Sequence, residues 1–164
     1  MIYRKIRGYL CSLKCKFYYY DLIFSGAKVA KNVSIFGDFT YYYAENITIG
    51  SNSTINKGVI LNARDKITIG RGVRLSNYVQ LHTGGLNLES KSKNTHIQDA
   101  IVIEDNVWIA SGAIITMGCR IGKSSVVAAN SVVTKDVEEN SFVAGVPAKF
   151  KKKLFNSEDL CGNI

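Results

Sequence analysis

Two histidines, His82 and His96, are the side chains whose ordinary pKa lies nearest neutrality, and they bracket a polar stretch of the chain. A histidine with a pKa near 6.5 is substantially neutral at pH 7 and can take a proton from a hydroxyl. Two are too few for an all-histidine zinc site. Cys11, Cys15, Cys119 and Cys161 form no pair of CxxC motifs, so no metal is expected. The second chemical group is basic: Lys149, Lys151, Lys152 and Lys153 lie toward the C-terminus. Lysine is a compact point charge that suits phosphate. Gly84-Gly85 is too short to be a phosphate loop.

The charge is unevenly placed. The chain carries +8 in all. Residues 1–20 contribute +5, from Arg4, Lys5, Arg7, Lys14 and Lys16 with no acid. Residues 149–164 contribute +2, and the long middle only +1. Basic ends point to a polyanionic ligand or surface, such as phosphates, anionic lipid or nucleic acid. No nucleic-acid motif accompanies the charge.

With 164 residues, 46% hydrophobic and 21% charged, the chain is the size and composition of one globular domain. Disorder and a polytopic membrane protein are both excluded on that ground. No apolar run follows the basic start, so no secretory signal is expected. The thiols are read as reduced and the compartment as cytoplasmic.

The elements that position these residues announce themselves through a repeat. Aliphatic or aromatic residues recur at Val29, Ile35, Tyr41, Ile49, Ile55, Leu61, Ile69, Leu75, Leu81, Ile103, Ile109, Ile115, Ile121, Val127 and Val133. Most steps are six residues. A second column of small or aliphatic residues sits two positions earlier, at Ser53, Val59, Val73, Val79, Val107, Ala113, Cys119, Ser125 and Ser131. Six residues turn an α-helix by about 600°, which scatters the pattern around the helix. A short strand and a turn, repeated with three sides per coil, satisfies it. The prediction is an all-β solenoid, a triangular parallel β-helix of about five coils spanning 27–141.

The steps lengthen at Tyr41→Ile49, Leu61→Ile69 and Leu81→Ile103, after rungs three, six and nine. All three insertions therefore belong to one corner. The last is a polar loop over 83–99, long enough to be functional. His82 enters it and His96 lies near its exit.

Residues 1–26 read as a basic amphipathic helix or cap, with Ile2, Ile6, Leu10, Leu13 and Phe17 on one face. It covers the open end of the β-helix, lies on an anionic membrane surface, or does both. Phe17-Tyr18-Tyr19-Tyr20 is expected against the first coil. Residues 142–164 read as a short basic tail.

Three strings sharpen the reading. They are Ile101 to Ile115 (IVIEDNVWIASGAII), Ser131 to Val137 (SVVTKDV) and Ala144 to Lys149 (AGVPAK). Together with the coils and the corner loop, they resemble the hexapeptide-repeat acyltransferases, nearest the maltose, galactoside and exopolysaccharide O-acetyltransferases. The likeness covers roughly residues 27–153. It implies a left-handed β-helix and a homotrimer with active sites between neighbouring prisms. It also implies acetyl-CoA as co-substrate and a histidine as general base.

Carried over residue by residue, the resemblance assigns Ser111 and Ala129 to main-chain contacts with the pantetheine arm. It assigns Thr134 and Lys135 to the phosphates, and Lys149 and Lys152 to the nucleotide end. The family's histidine stands 27 residues before the serine that matches Ser111, and that position here is Gly84. The base is therefore sought in His82 or His96, with Asn87, Glu89 or Asp99 orienting it or meeting the acceptor. Trp108 either lines the cofactor groove or packs at the trimer interface.

The function expected is acetyl transfer to a sugar hydroxyl, for instance of a cell-surface polysaccharide or its precursor. The alternative is a non-catalytic trimeric scaffold or CoA-binding module, which Gly84 favours and the retained cofactor positions oppose. A γ-type carbonic anhydrase lacks its third histidine here, and a nucleotide-sugar pyrophosphorylase lacks its nucleotide domain.

Overall fold

The structure is a computed structural model that describes residues 13, 15–87 and 95–154. Residues 15–24 are helical and lead into a stack of short strands. The first coil is β1 (Lys28–Val29), β2 (Ser34–Phe36) and β3 (Thr40–Tyr42). The second is β4 (Ile47–Ile49), β5 (Thr54–Asn56) and β6 (Ile60–Asn62), and the third β7 (Ile67–Ile69), β8 (Arg74–Leu75) and β9 (Gln80–His82). An excursion, β10 (Gly84–Leu86) and β11 (His96–Gln98), interrupts the stack. The fourth coil is β12 (Ile101–Ile103), β13 (Trp108–Ile109) and β14 (Ile114–Thr116). The fifth is β15 (Arg120–Ile121), β16 (Val126–Val127) and β17 (Val132–Val133), followed by β18 (Ser141–Gly145) and β19 (Ala148–Lys153).

Corresponding strands stack in parallel into three faces. Face one is β1-β4-β7-β12-β15, face two continues from β2 through β5, β8, β13 and β16 to β18, and face three is β3-β6-β9-β14-β17. Both predicted columns point inward. From Ile47 to Ile121 the large members of the core are essentially inaccessible. The inward serines repay their burial through hydrogen bonds between coils. Ser53 Oγ donates to the Gly70 carbonyl and accepts from the Val73 N–H, and Ser125 does the same with Glu138 and Ser141.

The corner between faces one and two shows why the coil turns where it does. Asn32, Asn52, Gly72, Asn106, Ser124 and Asn140 occupy it in succession, all with φ between 53° and 67°. Asparagine and glycine tolerate this left-handed conformation best. The recurrent Ile-Gly follows from the same corner. A Cβ on Gly50 would lie 2.6 Å from the Gly70 carbonyl carbon, and one on Gly70 would lie 2.6 Å from Asp105 Oδ1.

The insertions fall at the corner between faces three and one, as the spacing predicted. A 3-10 turn, Ala44–Asn46, fills the first. The third is an antiparallel hairpin that projects from the prism, pairing Gly84 with Gln98, Gly85 with Ile97 and Leu86 with His96. Its base is closed by the Asp99 N–H, which donates to the Thr83 carbonyl at 2.9 Å.

Both ends depart from expectation. The boundary placed at 141/142 falls within β18, which adds to face two beside β16. β19 then folds back antiparallel on β18. Ala148 and Phe150 on β19 line one cavity with Val133 and Val143 of the last turns. Apolar residues alternating with the lysines make this segment a closing hairpin rather than a tail; 155–164 lie outside the described residues.

At the other end, Leu22 is fully buried and Tyr18 and Tyr19 pack against the core. Tyr18 Oη donates to Asp38 at 2.6 Å, and Tyr41 Oη donates to Asp21 at 2.5 Å. Phe17, expected against the first coil, points to solvent, as does Leu13, while the half-exposed Tyr20 borders a cleft with Asn32 to Phe36 of the first coil. The helix is anchored through the face opposite the predicted apolar one. Ile2, Ile6 and Leu10 lie outside the described residues. No helix among those described is long and apolar enough to cross a membrane.

Candidate active site

His82 ends β9 on face three with its side chain outward, since Leu81 points into the core. It stands in a ladder with Asn62 below and Thr116 above. The ring is half-buried, and its Nε2 lies 2.9 Å from Gln80 Oε1, two residues back on the same face. With the Gln80 oxygen accepting, Nε2 carries the hydrogen and Nδ1 presents the lone pair. Burial holds the His82 pKa below its ordinary value. An amide partner orients the ring without the charge by which a carboxylate would raise that pKa.

Gln80 is the residue that sequence reasoning missed. The signal was available, since positions i and i−2 of a strand share a face. Of the three orienters expected, Asp99 Oδ1 accepts the Ala100 N–H at 2.8 Å. The Asn87 N–H closes the hairpin onto the Thr95 carbonyl at 2.9 Å. Glu89 lies outside the described residues.

His96 does not join His82. It is exposed and pairs across the hairpin with Leu86, four residues beyond His82, which is roughly 13 Å of extended chain. At Gly84, a Cβ would lie 2.7 Å from Arg64 Cδ. The arginine stem thus occupies the space that a side chain at 84 would need.

The cofactor candidates fall into two groups. Ser111 and Ala129 are exposed and stack one coil apart at the corner between faces two and three, because Ile109 pairs with Val127. Neither spends its own N–H on a backbone carbonyl among the described residues, while the Ser111 carbonyl accepts from Asn130 at 3.0 Å. Free N–H groups on an exposed ledge suit the amides of a pantetheine arm. Thr134 and Lys135 directly follow β17 at the other corner of face three, the one that carries His82 two coils below. Lys135 lines the same cavity as Phe150 and Lys153 of β19, the strand that bears the exposed Lys149 and Lys152. Lys153 is tied to Glu138 at 3.2 Å.

Face three of the prism therefore separates Ser111 and Ala129 from Thr134 and Lys135, whereas Lys149 and Lys152 extend the face-two sheet. Trp108 lies on face two, about half-exposed, with its indole N–H on Ser76 Oγ at 3.0 Å. No cluster of three or more metal-ligating side chains occurs among the described residues.

Residues 100–135 match the model of the bacterial transferase hexapeptide family (six repeats). The galactoside O-acetyltransferase of Escherichia coli K12 is 32% identical over 130 residues, covering 78% of this chain and 64% of that protein. The crystal structure of a maltose O-acetyltransferase from Clostridium difficile 630 superposes with a TM-score of 0.74 at 34% identity, covering 80% of this chain and 71% of that one. A hexapeptide-repeat acetyltransferase from Vibrio cholerae, solved in complex with acetyl coenzyme A, gives 0.69 at 34% identity, covering 74% and 72%. The chain belongs to the hexapeptide-repeat acetyltransferases. It spans 56% to 64% of the length of the curated relatives that it matches along most of its own length.

Proposed function

We propose that the protein is an acetyl-CoA-dependent O-acetyltransferase acting on a sugar hydroxyl, with His82 as general base. The observation that carries the reading is the half-buried, amide-oriented His82 at the corner that also bears Thr134 and Lys135. A relative with this solenoid at 34% identity was solved with acetyl coenzyme A.

In this reading Nδ1 of His82 removes the acceptor hydroxyl proton as the oxygen attacks the thioester carbonyl. The tetrahedral intermediate collapses, the carbon–sulfur bond breaks, and the proton passes to the departing thiolate. Lys135, Lys149 and Lys152 hold the phosphates, and the N–H groups of Ser111 and Ala129 hold the pantetheine arm. Because face three separates Ser111 and Ala129 from Thr134 and Lys135, we place the working site between prisms of a homotrimer, with the hairpin reaching toward a neighbour. A cell-surface polysaccharide or its precursor is the acceptor class proposed.

The test is calorimetric titration with acetyl-CoA, followed by mass-spectrometric detection of acetylated sugars. His82→Ala is expected to keep cofactor binding and lose about 10²- to 10⁴-fold in transfer rate, and His96→Ala to stay near wild type. Loss confined to His96→Ala would move the base to the hairpin. Cofactor binding without transfer to any hydroxyl would favour the non-catalytic reading that Gly84 raises.

A further inference from the structure

We propose that the N-terminal helix docks the protein on an anionic lipid surface. Leu13, Phe17, Tyr20 and Phe24 are spaced four, three and four residues apart, which sets them on one narrow stripe of a helix. All four are exposed, Phe17 at 66% and Phe24 at 86%. Apolar side chains of this size in a continuous row mark an interaction surface.

The opposite side of the same helix fixes the direction of the stripe. Tyr18, Tyr19 and Leu22 hold the helix to the first coil, through the Leu22 side chain, the Tyr18–Asp38 hydrogen bond and an edge contact between the rings of Tyr18 and Phe39. The stripe is therefore held outward by packing, and docking requires no reorganisation of the helix.

Charge selects the occupant. Three of the four stripe residues, Leu13, Phe17 and Tyr20, lie in residues 1–20, a stretch of sequence with five cations and no acid. Lys16 beside Phe17, and Lys28 and Lys31 on the first coil, are exposed. Asp21 on the helix and Asp38 on the first coil each accept a tyrosine hydroxyl. Pairing two copies of the stripe would bring like charges together. An anionic bilayer meets both demands, since aromatic rings settle at the headgroup level and each lysine or arginine near the surface adds about 1 kcal/mol. Together, the apolar row and the cations supply the two signals that stable peripheral binding needs.

The test is co-sedimentation of the full chain with vesicles of phosphatidylcholine alone, and of phosphatidylcholine and phosphatidylglycerol in roughly equal parts. Binding is expected only to the anionic vesicles, and it should weaken in about 0.5 M salt. Phe17→Ser combined with Phe24→Ser is expected to weaken it about tenfold, with far-UV circular dichroism and the mass by light scattering unchanged. Absence of binding, or binding equal in the double variant, overturns the proposal. A fall in oligomeric mass in the double variant also overturns it, and assigns the stripe to contact between copies.

Discussion

Gln80 Oε1 and His82 Nε2 face each other at 2.9 Å across two positions of one strand. The ring is thereby held by a neutral group. Replacing that amide with a carboxylate stabilises the imidazolium and raises the pKa of His82. For Gln80→Glu, the acid limb of kcat/KM is expected to move to higher pH. Gln80→Ala should lower kcat with little change in KM for acetyl-CoA. Full pH–rate profiles of both variants check this positioning role, and an unmoved acid limb in Gln80→Glu would refute it.

The half-buried ring also links stability to pH. His82 has a folded pKa depressed by burial below the ordinary 6.5, so the unfolded chain binds the proton more readily. Its contribution to stability is complete above the unfolded pKa and is lost as pH falls through the lower folded value. Urea titrations at several pH values between about 7.5 and 5 should show wild type losing more stability on acidification than His82→Gln.

Gly70 sits where the next coil leaves no room: an added methyl would stand within 2.8 Å of both Oδ1 and N of Asp105. Asp105 is itself fixed, its Oδ1 accepting the Arg71 N–H at 2.8 Å. Gly70→Ala is expected to destabilise by about 1–3 kcal/mol in denaturant titration. Gly85→Ala is the control: its methyl meets only the flexible Met117 side chain, with Cε at 3.2 Å, and near-wild-type stability is expected.

Cys119 is buried in the inward column, and burial pushes its thiol pKa up. A thiol so placed is a poor nucleophile. With Cys11, Cys15 and Cys161 replaced by serine, the protein should react with a disulfide reagent about 100-fold faster in urea than when folded. Rapid labelling of the folded protein would show that the fourth-to-fifth coil turn opens.

The stack was legible because a period of six, broken after rungs three, six and nine, has few physical solutions. Both inward columns could be named residue by residue, from Ser53 to Val133. Less legible were the features decided by tertiary contact. Which face of the helix near Phe17 is anchored depends on Asp38, Phe39 and Tyr41 of the first coil, all distant in sequence. The final segment reads as charged, yet its Ala148, Phe150 and Lys153 border the last turns while Lys149, Lys151 and Lys152 take the solvent. At the site, both histidines were visible as a pair flanking the polar loop. Their separation was not, because it depends on the loop's pairing as a hairpin. Gln80 was hidden for a simpler reason: an amide on the strand itself carries no charge to mark it as an orienter.

The hairpin leaves the prism after Thr83 and returns at Asp99, and those two residues already share one hydrogen bond. Its doorway is thus a single bond wide, and the coils above and below stack without it: Ile101, Val102 and Ile103 lie directly on Ile67, Thr68 and Ile69. Such a doorway makes the excursion an exchangeable cassette. It can lengthen, shorten or change its composition while the rail beneath keeps its gauge, so the excursion can be rewritten without rewriting what holds the prism together.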